Sequence, residues 1–388
     1  MLRRPATTML LFFFLLLVEL FSHLSLWILA QFFSIQYQPV DQLSSQHREI
    51  LTQMLNSGES YVIPDSLLGW TIKPSGYNGL YHANEQGIRG TIEYQKEPPD
   101  EKKRISTFGD SFTHCDDVRD DETWQHFLQQ SDSTLEVLNF GVGGYGLDQA
   151  HLRYLKKRKN FQSDIVFIGY MTDDIFRHEN IFRPFVTAQT GLPLGKPRFV
   201  FQKDSLMHVA NPFPNPASYE RLLRNPQKIL ARAGEYDHYY QLSQKSGRLD
   251  FLAFVRLIKI CVEKVESRLK PLHTRKGIYR EESTSLALTN AILHQFYESV
   301  KEDGAKPHIL FFPNLRDVKE FRKSGERSYQ TMLDYCDRHQ LSYIDLLDAF
   351  VNIESDDELE SFFNNHYSAK GNRLVTRELA KWMKLKQK

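Results

Sequence analysis

The chain is poor in cysteine and carries no surplus of charge. Only Cys115, Cys261 and Cys336 occur in 388 residues, in no metal-ligand spacing. An odd count leaves at least one thiol unpaired within the chain, so no disulfide framework is implied. Lysine and arginine number 49 against 48 aspartates and glutamates. That balance gives no global field for nucleic acid or an acidic polymer. No internal repeat is visible, and no Cys-His-Asn signature surrounds Cys115, which makes it a weak rival as a nucleophile.

What is present begins at the N-terminus. Arg3 and Arg4 precede the apolar run Met9 to Val18, whose character continues to about Phe33. At about 1.5 Å per residue this exceeds the roughly 30 Å of a hydrocarbon core. It is also longer than the apolar region of a cleavable signal peptide, typically about 7–15 residues. Residues 1–35 therefore read as an uncleaved signal anchor. The two arginines on the short flank, against only Arg48 soon after, point to N-terminus inside and an extracytoplasmic bulk. Within the span Glu19 and His23 share a helix face, which suits either a partner helix or one tolerated protonated carboxyl.

Residues 36–103 read as a polar stalk to about Ser60 followed by a turn-rich cap with short β pieces, in which Gly69, Gly76, Gly79, Gly87 and Gly90 punctuate apolar fragments. From 104 to 388 strands and helices alternate. Strands are expected at Arg104–Phe108, Leu135–Phe140, Asp164–Gly169, Pro307–Phe312 and Ser342–Leu346. Helical patterns lie at Thr123–Gln130, Leu147–Lys159, Leu286–Val300 and Val318–His339. That alternation predicts an α/β fold with a parallel sheet of about five strands between two helical layers. It breaks down between about 180 and 280, where seven prolines from Pro184 to Pro226 and many aromatics mark an insertion that would roof the site. The apolar helix beginning near Leu249 reads as core rather than as a lid or a membrane contact.

Ligands of parallel α/β sheets bind beyond the carboxyl ends of the strands. Three unusual segments lie there: Gly109-Asp110-Ser111 after the first strand, Gly141 to Gly146 after the second, and Thr172-Asp173-Asp174 after the third. His366 precedes the terminal helix. A serine on a tight turn, a histidine to take its proton and backbone donors for an oxyanion make an acyl-transfer site. Each piece alone has a plainer reading as a turn, a cap or a loop histidine, but their joint order is hard to reach by chance.

These segments resemble the SGNH/GDSL hydrolase superfamily, over about Arg104 to Lys384, interrupted by the insertion. The resemblance implies the family's flavodoxin-like three-layer α/β/α fold, with Ser111 as nucleophile and His366 as general base. It implies an oxyanion hole from the amides of Ser111 and Gly144, the latter five residues after Asn139, and it requires no metal or organic cofactor. Two departures stand out. The family's Asn donor is replaced by Thr172, Asp173 or Asp174, and Phe363 stands where an aspartate should precede the histidine. The imidazole would then be oriented by Asn364, Glu360, Asp356 or Asp357, or work in a dyad. Asp110, His114, Arg177 and Arg183 are candidate substrate contacts, with His178 beside them, and Trp70 and Arg89 of the cap are within possible reach. The segment His366-x-Ser368-x-x-Gly371-Asn372 is similar to that of bacterial members found in envelope-polysaccharide contexts. The expected activity is hydrolysis of an O-acylated, carbohydrate-type ester. An O-acetyltransferase using the same residues is the first alternative, and a degraded, membrane-tethered glycan-binding protein the second.

Overall fold

In a computed structural model of the chain, residues 4–57, 60–203, 205–269, 274–275 and 278–386 are described. Five strands make the central sheet: β1 (Lys103–Phe108), β2 (Leu135–Asn139), β3 (Ile165–Met171), β4 (Lys306–Phe312) and β5 (Tyr343–Asp345). The helices include α1 (Arg4–Phe33), α2 (Ser45–Ser57), α3 (Ser111–His114), α4 (Trp124–Ser131), α5 (Leu147–Lys157), α6 (Ala253–Leu269), α7 (Thr284–Glu302), α8 (Leu315–Ser324), α9 (Gln330–Arg338) and α10 (Ala369–Lys386).

Every pairing in the central sheet is parallel, and the spatial order is β2-β1-β3-β4-β5. This is the flavodoxin-like doubly wound order, and it reverses direction between β1 and β3, where a crevice opens at the carboxyl ends. The strands carry near-continuous apolar runs because both faces are covered. Val166, Ile168 and Tyr170 face one core and Phe167 the other, while Ile309 and Phe311 alternate with Leu310 and Phe312 in the same way. Helices α5 and α7 cover the first face, and α4 and α10 the second. Each fully buried Phe or Leu is worth about 1.5–3 kcal/mol against exposure, so these two cores position the loops above them.

Two segments differ from the sequence expectation. The pattern read as a single helix from Val318 to His339 is broken into α8 and α9, because Gly325 takes a left-handed φ of 73° that caps α8 through its amide to the Phe321 carbonyl. The polar stretch expected to be a stalk is tied to the insertion: the Val40 amide donates to the Gln244 carbonyl, and Asp41 accepts from the amide and hydroxyl of Ser246. The cap forms a hairpin at Val62–Asp65 and Gly69–Ile72, and it is tied to the main domain where the Tyr145 hydroxyl donates to the Trp70 carbonyl and Gln149 to the Leu68 carbonyl.

Candidate active site

The turn after β1 is built by glycine and a side-chain cap. A Cβ on Gly109 would stand 2.1 Å from Thr113 Oγ1, so no other residue fits there. Asp110 is extended and its carboxylate accepts from the Phe112 amide at 2.9 Å, which starts the one-turn helix α3 at Ser111. Ser111 is 6% exposed. Among the described residues its amide donates no hydrogen bond within the protein.

Beyond α3 the chain makes an unusual bend. Cys115 and Asp117 both have left-handed backbone, with φ of 62° and 72°. A non-glycine residue with this φ carries strain, and two in three positions persist only when surrounding contacts hold them. Arg89 of the cap supplies those contacts. Its buried guanidinium donates to the carbonyls of His114, of Cys115 at 2.6 Å and of Val118 at 2.6 Å, and reaches Asp120 at 3.2 Å. The bend turns Asp117 toward the histidine: Asp117 Oδ2 lies 2.7 Å from His366 Nδ1. The His366 ring also packs edge-on against Phe112, the residue after Ser111, with centroids 5.2 Å apart.

The group at the imidazole is thus neither Asn364 nor Glu360. Glu360 pairs with Lys319 on the surface, and Asn364 meets His366 only through its amide to the His366 carbonyl at 2.7 Å. Asp356 pairs with Arg322. Phe363 is buried and packs against Phe350 and edge-on against Tyr367, and it carries no group that could hold the imidazole. Sequence reasoning missed Asp117, although Asp116-Asp117 directly after the serine helix, in a chain without an acid at 363, was the available signal.

The loop after β2 lies alongside. Gly144 has φ of 79°, and a Cβ there would meet Leu192 at 3.2 Å. Gly141 passes so close to α3 that a Cβ would stand 2.2 Å from the His114 amide nitrogen. Three successive carbonyls of this loop are held by side chains from three segments. Trp70 Nε1 donates to Gly143 at 3.1 Å, Arg183 to Gly144 at 3.0 Å and Arg177 to Tyr145 at 2.8 Å. Among the described residues the amides of Gly143 and Gly144 donate no hydrogen bond within the protein. Carbonyls pinned on one side and amides left unpaired make a suitable oxyanion cradle.

The loop after β3 is engaged elsewhere. Thr172 is fully buried, its hydroxyl donating to Asp317 and its carbonyl accepting from Tyr279. Asp173 accepts from Asn314 at 2.8 Å and pairs with Arg316. Asp174 is buried against Asp110 and Arg177. Burial, and next the Asp110 charge, raise its pKa well above the carboxylate range despite Arg177. Asp110 and Asp174 therefore sit under the nucleophile turn as a carboxyl pair with Arg177.

His114 is 1% exposed rather than open to a substrate. Burial, and then Arg89, push its pKa down, so the neutral ring bonds Asp116 through Nδ1 and the Tyr61 hydroxyl at 3.0 Å through Nε2. His178 is buried too, accepting from the Leu147 amide. The cysteine alternative is weakened as well: Cys115 is buried, and burial raises its thiol to about 12. Among the described residues, no group of three His, Cys, Asp or Glu side chains is arranged to hold a metal ion.

No protein-family profile matches this chain, and no curated protein does. Among solved structures it is similar to a protein from Desulfitobacterium hafniense described as lipolytic and of the G-D-S-L family, at 12% identity, with 72% of this chain and 99% of that one covered and a TM-score of 0.35. It is also similar to a member of the lipolytic G-D-S-L family from Veillonella parvula, at 12% identity, with 72% and 97% covered and a TM-score of 0.34. A protein from Bacteroides fragilis described as an acylhydrolase matches at 10% identity, with 75% and 91% covered and a TM-score of 0.36. At these identities and scores, the chemistry of the site rests on its own residues.

Proposed function

We propose that the chain is a serine ester hydrolase that works through an acyl-enzyme. The observation that carries this reading is the Asp117 carboxylate 2.7 Å from Nδ1 of His366, whose ring packs against Phe112, the residue after Ser111. In this reading Asp117 fixes the proton of His366 on Nδ1 and leaves Nε2 free to act as base. Nε2 takes the Ser111 hydroxyl proton while Oγ attacks the ester carbonyl. The amides of Ser111 and Gly144 stabilise the oxyanion, a role supported by their lack of internal partners. The tetrahedral intermediate collapses, His366 gives its proton to the departing alkoxide, and a water activated by the same nitrogen hydrolyses the Ser111 ester. In this reading Thr172, Asp173 and Asp174 stand outside the oxyanion hole: Thr172 bonds Asp317, Asp173 pairs with Arg316, and Asp174 is buried against Arg177.

The substrate in this reading is an O-acylated carbohydrate outside the cytoplasm. Support comes from the cap, where Tyr77 is 56% exposed and stacks on His82 at 4.5 Å, beside the Asp117–Asp120 loop. Such a platform suits the face of a sugar ring. Extracytoplasmic placement is supported by α1, whose residues Thr7–Phe33 are long and apolar enough to cross a membrane. The deciding experiment is hydrolysis of p-nitrophenyl acetate and of an acetylated oligosaccharide by the full chain in detergent. Turnover lost in both Ser111→Ala and His366→Ala supports the reading, and turnover surviving in Ser111→Ala overturns it. Acetate moved to an oligosaccharide acceptor, with none released to water, would assign a transferase instead.

A further inference from the structure

Helix α6 is the amphipathic helix of the insertion, and it packs against the second half of α1. Their junction is specific. The Glu19 carboxylate, in the apolar helix α1, accepts from the amides of Ala253 at 2.5 Å and Phe254 at 3.2 Å. The first amides of any helix lack intrahelical partners, and a carboxylate there satisfies them and faces the positive end of the helix dipole. A lone carboxylate in an apolar span is costly, so these bonds account for a residue the composition of α1 does not.

One side of α6 faces inward, with Ala253 and Ile260 at 0% and 6% exposed. The other side is an apolar stripe open to the outside: Ile258 (56%), Val262 (43%) and Val265 (54%), with Cys261 exposed among them. Their spacing of i, i+3, i+4 and i+7 places them on a single face. Leu249 and Phe251, just before the helix, are 57% and 73% exposed. Arg256, Lys259 and Glu263 project well off this stripe by the same helical periodicity. The stripe adjoins α1, whose Leu20, Phe21, Leu24, Trp27 and Ile28 are 37–68% exposed. A soluble surface seldom carries so large a contiguous apolar patch.

We infer that α6 and the Leu249–Phe251 turn are a second membrane element, lying in the headgroup–acyl boundary beside α1. The inference rests on the reading of α1 as a membrane anchor. Continuity with α1 selects the occupant: α6 packs against α1 and both helices leave apolar residues exposed, so a bilayer crossed by α1 also reaches α6. The domain is then held on the membrane by two elements and cannot swing on a stalk, in keeping with residues 37–41 being bonded to 244–250.

The test uses Cys261, since Cys115 and Cys336 are buried. The full chain is labelled in detergent with an environment-sensitive fluorophore on Cys261, then reconstituted into phosphatidylcholine–phosphatidylglycerol vesicles. The comparison is Arg232→Cys in a Cys261→Ser chain, labelled at an exposed position outside the stripe. At Cys261 the expected result is at least twofold quenching by a lipid nitroxide at a shallow acyl position, and iodide quenching at least fivefold weaker than at the reference. Iodide quenching equal to the reference in vesicles that still carry the protein on flotation overturns this inference and leaves the anchor standing. Failure to float with the vesicles overturns both. A Cys261–Cys261 crosslink on mild oxidation shows that a second copy covers the stripe, and also overturns it.

Discussion

Replacing Asp117 by Asn probes the one proposed catalytic group that comes from an unexpected place. Asparagine tolerates the left-handed backbone of position 117 about as well as aspartate does, so the bend and the Arg89 contacts should survive. The amide oxygen can still accept from Nδ1, and only the negative charge is lost. A hydrogen bond to a charged group is worth about 1.5–3 kcal/mol. The Asp117 side chain is 36% exposed and His366 20%, so solvent screens part of this. What remains is about 1–2.5 kcal/mol, felt where the imidazolium forms. At about 1.4 kcal/mol per decade that predicts a fall in kcat on the order of fivefold to sixtyfold, with KM little changed. Asp117→Ala should fall further, because alanine adds the cost of the left-handed backbone and removes the acceptor. Steady-state hydrolysis of p-nitrophenyl acetate measures both. Wild-type kcat in Asp117→Ala would refute the reasoning, as would a change confined to KM.

Other perturbations follow from the same geometry. Gly144→Ala places a side chain at a φ of 79° and within 3.2 Å of Leu192, so kcat should drop at least tenfold while thermal unfolding moves by a few degrees. Gly169→Ala puts a Cβ 2.1 Å from Thr113 Oγ1 and 2.5 Å from Phe312, and should cost about 3 kcal/mol or more in denaturant melts. Trp70→Phe removes the bond to the Gly143 carbonyl from a fully buried indole, and should cost about 1–3 kcal/mol with a measurable loss of kcat. Asp174 has a raised folded pKa. Its protonated form therefore favours the folded state fully below about pH 4, and this stability is lost as pH rises toward the folded pKa. Asp174→Asn mimics the protonated acid, so its stability relative to wild type should grow from pH 5 to pH 8; a flat difference would contradict the assignment.

Much of this architecture was legible because it is periodic or local. Val166 to Ile168 and Ile309 to Phe312 announce strands covered on both sides, and Gly109-Asp110-Ser111 announces a turn whose cap is Asp110. His366 was picked out from its place ahead of the last helix. Asp117 was not found, because its role depends on a left-handed bend held by Arg89, a residue twenty-eight positions earlier that no local pattern links to it. The third loop was less legible for a related reason: Thr172, Asp173 and Asp174 stand at the expected position, yet Thr172 bonds Asp317, Asp173 pairs with Arg316 and Asp174 with Arg177. The stripe on α6 shows a further limit. Helical periodicity marks an apolar face without saying whether protein or lipid will cover it, and α6 was expected in the core.

The central claim is that Ser111 is a nucleophile driven by His366 in the grip of Asp117. The most direct measurement is the second-order rate of labelling by an alkyl fluorophosphonate, with the adduct located by peptide mass spectrometry. One adduct is expected, on Ser111, formed at least a hundredfold more slowly in His366→Ala and at least tenfold more slowly in Asp117→Ala. An adduct on another residue, or no adduct on a folded full chain, would contradict it.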